Sequence, residues 1–259
     1  MGILNRTRDS FFAPAATFEM EEFLARADRL VSEGADVLDI GGVKAGPGDE
    51  VSVDEELSRV VPAVEALRQR FDVPVSVDTW RAPVAREAFA AGATLGNDIS
   101  GFADSDYLAV AAEAGASVVA THIRLSPRVA DPCPHYDDVT ATVREYLIER
   151  RERALAAGLS VDQIIVDAGL DLGKTPAQSV QLLRDSGVLA SLGAPLLLSA
   201  SNKGFLGAMF DQPVTHRRES TLAACALGVS AGARVLRVHD VAGAVRVRDA
   251  LEAVLGARS

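Results

Sequence analysis

The chain has almost no cysteine: Cys133 and Cys225 are the only two in 259 residues, and no CxxC spacing joins them. That argues against a disulfide scaffold or a thiolate metal site, and the pair is expected to be free thiols in a reducing cytosol. Long apolar runs are also missing. No stretch approaches the roughly 18 residues of a membrane-spanning helix, and the opening MGILN lacks the basic start and apolar core of a signal peptide. Neither a membrane partner nor export is expected. Positive charge is scarce, with 26 Lys and Arg against 36 Asp and Glu and a net charge of −10. A phosphate backbone would be repelled, so nucleic acid is not an expected partner. Aromatic residues make up only 5%, and the apolar content is mostly Ala, Val and Leu, which suits tightly packed helices and strands.

What is present is a repeated unit. A helical stretch is followed by a Gly-Ala or similar break and then by a short β-rich run ending in a polar residue. EFLARADRLVSEGADVLDI runs to Asp39, and EELSRVVPAVEALRQRFDVPVSVDT passes through Asp78. Later instances end at Asn97-Asp98, His122, Asp167, Ser199–Ser201, and Arg237 with His239. Apolar residues fall at helical spacing in the first part of each unit, as in Phe23, Ala27, Leu30 and Val31. The strands are nearly continuous apolar runs such as Ile164–Val166, the pattern of strands buried on both faces. Alternating helices and strands imply right-handed crossovers and a parallel sheet. With Ile3-Leu4 as a first strand ending at Asn5, the units close a (β/α)8 TIM barrel, expected to be a single domain over residues 1–259. A doubly wound open sheet is the alternative. No linker divides the chain, and the longest irregular stretch, Ser126–Pro134, is expected as a loop after the fifth strand.

Catalytic groups of such barrels lie at the C-terminal ends of the strands. Here those ends carry Asn5, Asp39, Asp78, Asn97, His122, Asp167, Ser201, Arg237 and His239. One such residue is readily a cap, but packing alone needs no ring of them. The only lysines, Lys44, Lys174 and Lys203, each follow a strand. A compact ammonium in such a loop suits a ligand carbonyl or phosphate.

These motifs together resemble the dihydropteroate synthase family. MGILNRTRDSF resembles the family opening NxTPDSF, and DIGG, SVDT, NDISG, VVDAGLDLGKT, LLLSASNK and VLRVHD follow in the family order across nearly the whole chain. In particular it resembles the divergent second copy carried by actinobacteria. Members condense 4-aminobenzoate with dihydropterin pyrophosphate and release pyrophosphate. The resemblance implies that Asp78, Asn97 and Asp167 hold the pterin, with Lys203 at its carbonyl and ring nitrogen and Ser201 beside them. Arg237, His239 and a Mg²⁺ held partly by Asn5 would take the departing pyrophosphate, while Asp9 in the first loop would order the metal and stabilise the cation. His122 is either a site residue or a hydrogen-bonded barrel histidine, and Asp39 reads as an anchor for Gly41-Gly42. The family also forms homodimers through late helices, and the run Leu222–Leu227 is compatible with that.

The resemblance breaks on one side. The family's DIGGESTRPG reads DIGGVKAGPG here, so Val43, Lys44, Ala45 and Gly46 stand where the family has Glu, Ser, Thr and Arg. SRK has become Ser201-Asn202-Lys203, and GFGK has become Asp171-Leu172-Gly173-Lys174. The altered residues belong to the aminobenzoate side, whereas the pterin side is kept. The reading that follows is a pterin-binding homologue with weak or lost synthase activity. The alternatives are an active synthase with an adapted second pocket, and a non-catalytic pterin- or partner-binding barrel.

Overall fold

The computed structural model describes residues 1–6 and 16–256. Strands β1 (Gly2–Asn5), β2 (Leu38–Gly41), β3 (Val75–Asp78), β4 (Leu95–Asp98), β5 (Ser117–Thr121), β6 (Ile164–Asp167), β7 (Leu196–Leu198) and β8 (Val235–Leu236) pair in sequence order, all parallel. The ring closes where Ile3 N–H reaches the Val238 carbonyl and Val238 N–H reaches that of Met1, each at 3.0 Å. The chain is therefore a TIM barrel, as expected, and not an open sheet.

Helices α1 (Ala16–Ser32), α2 (Val53–Arg70), α3 (Ala82–Ala90), α4 (Tyr107–Glu113) and α5 (Val139–Ala156) follow the first five strands. Two helices, α6 (Pro176–Arg184) and α7 (Ser186–Ala190), follow β6, and α8 (Gly204–Phe210) with α9 (Arg218–Ser230) follow β7. The last, α10 (Val241–Leu255), packs on α9. The glycine breaks behave as expected past a helix end: Gly92 after α3 has φ 109° and Gly158 after α5 has φ 100°, a region that costs glycine little. Ser126–Pro134 is a loop, as expected.

Strand alternation decides what fills the barrel. Leu38, Ile40, Val75, Val77, Val118 and Ala120 face outward into the helices and form the larger core cluster. The inward positions divide by height. Met1, Leu95, Val119 and Leu197 make a small apolar plug with Val37, Ile165 and Val235. Above the plug, toward the C-terminal ends, the inward residues turn polar: Asn5, Asp78 and Asp167 close their strands, and Asn97 is the last but one of β4. The lower barrel is thus a packed core, and the upper barrel is a polar well resting on it. Among the described residues no helix is long and apolar enough to cross a membrane.

Candidate functional site

The floor of the well is built around Asp39. This residue lies within β2 and is fully buried, so it does not serve as the anchor for Gly41-Gly42 that its place in the motif suggests. Its carboxylate accepts from Ser76 Oγ at 2.5 Å, from Asn97 Nδ2 at 3.3 Å and from Arg237 Nε at 2.6 Å. Arg237 continues through Nη2 to Asp78 Oδ2 at 2.6 Å. One guanidinium therefore bridges two carboxylates, the geometry at which its rigid fork excels. Burial opposes the Arg237 charge, but Asp39 and Asp78 outweigh it and raise its pKa. Burial pushes Asp78 up to about 7 against the pull of Arg237, with Asp39, Glu56 and Asp98 pushing the same way as burial. Asn5 stands at the same level, since its Oδ1 and Asp78 Oδ2 lie within 3.6 and 3.7 Å of where a Cβ on Gly41 would be.

The opposite wall comes from β6 and β7. Asp167 is buried and accepts from Gly169 N–H at 2.8 Å. Burial raises its pKa, opposed first by Lys203 and then by that N–H and by Arg237. Lys203 donates to the Leu170 carbonyl at 2.6 Å. Burial lowers its pKa, while Asp167 and Asp171 pull it back. Opposite Asp167 in the register is Thr121, whose buried hydroxyl has no hydrogen-bond partner among the described residues. Neither Thr121 nor Ser76 stands out in the sequence, because a single hydroxyl in a strand gives no signal of which way it faces.

The lysine pattern needs correction. Lys174 is buried under the β6–α6 loop, and its ammonium meets His122 Nδ1 at 2.9 Å and the carbonyls of Gly169, Leu172 and His122 at 2.8, 3.0 and 3.3 Å. An ammonium has three donors, so this one is consumed by the protein and braces the loop. Burial and Lys203 lower its pKa to about 7. A charged ammonium can only donate, so beside it His122 Nδ1 accepts and the ring proton is on Nε2. Burial, reinforced by Lys174, depresses His122 to about 3, and its ring packs edge-on against Tyr146 at 4.7 Å. Of its two readings, His122 is the locked barrel histidine. The same loop makes Gly169 irreplaceable: its φ is 64°, and a Cβ would fall 1.9 Å from the His122 carbonyl oxygen. Gly169→Ala is expected to cost roughly 3 kcal/mol or more of folding stability, read from urea unfolding.

At the rim, Ser201 Oγ accepts from His239 N–H at 3.2 Å and lies 2.9 Å from His239 Nδ1. The hydroxyl can donate its own proton to Nδ1, which leaves the ring proton on Nε2. Burial, aided by Arg237, lowers His239 to about 4, so the free ring is neutral at pH 7 and offers a hydrogen bond rather than a charge. The β2–α2 loop is further out. Val43 is buried, whereas residues 44–50 are exposed. Arg128 from the β5–α5 loop holds this segment, its N–H on the Ala45 carbonyl at 3.0 Å and its guanidinium on those of Lys44 and Asp49. Lys44 thus stands apart from the well. Asp9 lies outside the described residues.

Asp78, Asn97, Asp167, Lys203 and Arg237 accordingly gather at one end of the barrel, with Ser201 and His239 on its edge. A parallel barrel whose C-terminal mouth gathers carboxylates, an amide and two cations above an apolar plug is laid out as a binding site for a polar ligand. The chain belongs to the family described as pterin binding enzyme, which matches residues 1–239. It is 46% identical over its full length to the inactive dihydropteroate synthase 2 of Mycobacterium leprae, covering 91% of that protein. Dihydropteroate synthase of Yersinia pestis, solved with a sulfonamide drug complex, superposes with a TM-score of 0.92 at 38% identity, over 99% of this chain and 93% of that one. The Xanthomonas albilineans synthase, solved with 7,8-dihydropteroate, gives 0.88 at 38% identity over 98% and 92%. The chain is a dihydropteroate synthase homologue of divergent type.

Proposed function

We propose that the chain binds a dihydropterin, as its pyrophosphate, in the polar well, and has weak or no synthase activity. The observation that carries this is the contrast between the two halves of the mouth. The well of Asp78, Asn97, Asp167, Lys203 and Arg237 is complete and internally braced. The β2–α2 loop offers Ala45 and Gly46 where the family has a threonine and an arginine. The name of the Mycobacterium leprae relative points the same way.

In this reading Asp167 and the Asn97 amide accept from the paired N–H donors of the pterin, and Asp78 completes that edge. Lys203 donates to the pterin carbonyl and ring nitrogen. Arg237 is first a brace, because Nε and Nη2 are committed to Asp39 and Asp78, and Nη1 remains to meet pyrophosphate beside His239 Nε2–H. Synthesis requires the carbon–oxygen bond to break with its electron pair leaving on pyrophosphate. The aminobenzoate nitrogen then attacks the pterin-stabilised cation and loses a proton. Nothing in the exposed loop aims that amine. Mg²⁺ would neutralise charge on the leaving pyrophosphate. Asn5 Oδ1 is a hard oxygen donor suited to it, and no group of three acids or histidines among the described residues could hold an ion alone, so the ion would be shared with the phosphates. Homodimer formation is a further proposal, supported by Met209, Phe210 and Leu227, which are exposed along one apolar groove between α6, α8 and α9.

Titration calorimetry with dihydropterin pyrophosphate and Mg²⁺ tests the binding half. Saturable one-to-one binding is expected. No heat and no displacement of a pterin analogue would leave the third reading, a barrel that binds only a protein partner.

A further inference from the structure

The β6–α6 loop carries a carboxylate, Asp171, that the brace and the well do not use. It stands at φ 66°, an uncommon conformation for a side chain other than glycine. Both carboxylate oxygens lie 3.2 Å from Phe205 N–H, one is 3.5 Å from Ser179 Oγ, and the Asp171 N–H donates to that same Oγ at 3.1 Å. These contacts fix the carboxylate against the chain just beyond Lys203. The space beside it is reserved, because a Cβ on Gly204 would approach Asp171 Oδ2 to 3.2 Å. Asp171 and Asp167 both act on Lys203, and both stabilise its charge. The lysine therefore faces a ligand with its charge already matched by the protein. Asp39, Asp78, Asp167 and Asp171 bring four carboxylates to this end of the barrel, beside the cations Arg237 and Lys203 of the well. No arginine of the β2–α2 loop offsets this, since Gly46 occupies that position.

We propose that Asp171 is a specificity-determining residue: its fixed carboxylate beside Lys203 disfavours a carboxylate-bearing second ligand and favours a neutral arylamine. This rests on the reading that a pterin fills the well and a second ligand lies on the flank formed by the β6–α6 and β7–α8 loops. An acid such as 4-aminobenzoate would bring another negative charge toward Asp171 in a site of reduced dielectric, where like charges repel more strongly than in water. The matching amide brings the same ring and amine without that charge.

The test uses the full chain saturated with 6-hydroxymethylpterin, which has no leaving group, and compares binding of 4-aminobenzoate with 4-aminobenzamide. The native protein is expected to bind the amide at least tenfold tighter than the acid. Asp171→Asn keeps an oxygen for Phe205 N–H and removes the charge, so it should gain about tenfold for the acid, roughly 1.4 kcal/mol, with little change for the amide. Asp171→Gly should move the ratio the same way. If Asp171 only braces the loop, both variants weaken acid and amide alike and the ratio stays fixed, which overturns the proposal. Failure of the amide to bind the native chain overturns it as well. Failure of the pterin to bind would instead remove the function reading, and this inference with it.

Discussion

Asp167→Asn is expected to weaken pterin binding by about 100-fold or more, from the roughly 2–5 kcal/mol lost when one partner of a buried charge-assisted pair is removed. Asp167 closes β6, a rigid strand inside the barrel, and one of its oxygens is already held by Gly169 N–H at 2.8 Å. The other faces the well, beside Lys203 and Arg237. Asparagine preserves the shape and the Gly169 contact, but it offers a weaker acceptor and can present an N–H where the pterin also donates. The pterin donors are then buried without partners, which costs more than the bond itself was worth. Lys44→Ala is the contrasting variant. Lys44 lies on the exposed loop that Arg128 holds by its backbone carbonyls, and that backbone survives the change. Pterin affinity should change by less than about twofold, the scale of an ordinary surface substitution. Calorimetry on the two variants side by side reads the difference, and equal losses would show that the mouth is not divided as described.

The second large effect concerns the β2–α2 loop. Replacing Lys44→Ser, Ala45→Thr and Gly46→Arg is expected to raise condensation by up to about a hundredfold, the scale of rate lost when a reacting group is poorly aimed. A guanidinium at position 46 would offer the aminobenzoate carboxylate a bidentate partner. The structure refines the choice of positions. Residues 44–46 are exposed, whereas Val43 is buried, so Val43→Glu would bury a carboxylate and confound the result. Shielding the pterin cation should also reduce hydrolysis to the hydroxymethyl pterin, so the product ratio is a second readout. Combining the loop changes with Asp171→Asn should help further if both flanks disfavour the acid. If the three changes alter neither rate nor product ratio, the defect lies at Asn202 or Leu172.

The barrel was legible because its physics is local. Most units repeat a helix, a glycine that takes positive φ and a short apolar strand, and those signals need no knowledge of distant residues. The polar ends of the strands were legible for the same reason, and Asp78, Asn97, Asp167, Lys203 and Arg237 do gather together. What stayed hidden was direction and partnership. Asp39 in the DIGG motif looks like an end residue, yet strand alternation turns it into the well, where it collects Ser76, Asn97 and Arg237 from three other strands or their ends. Lys174 follows a strand as Lys203 does, but the Gly169 and Leu172 carbonyls of its own loop and His122 from the neighbouring strand end take its donors. Arg237 reads as an open cation from its motif, and two carboxylates from elsewhere in the chain already engage it. Asp171 shows as an added charge, whereas its contact with Phe205 joins the β6–α6 loop to the first turn of α8, which only the fold brings together.

The central claim is that the pterin half of the site works and the condensation half does not. The most direct measurement is to supply the full chain with dihydropterin pyrophosphate, 4-aminobenzoate and Mg²⁺, and to quantify dihydropteroate against an ordinary synthase assayed in parallel. A rate at least about a hundredfold lower is expected at concentrations that saturate the pterin site. A rate equal to that of the ordinary synthase would contradict it and establish the chain as an active enzyme with an adapted second pocket.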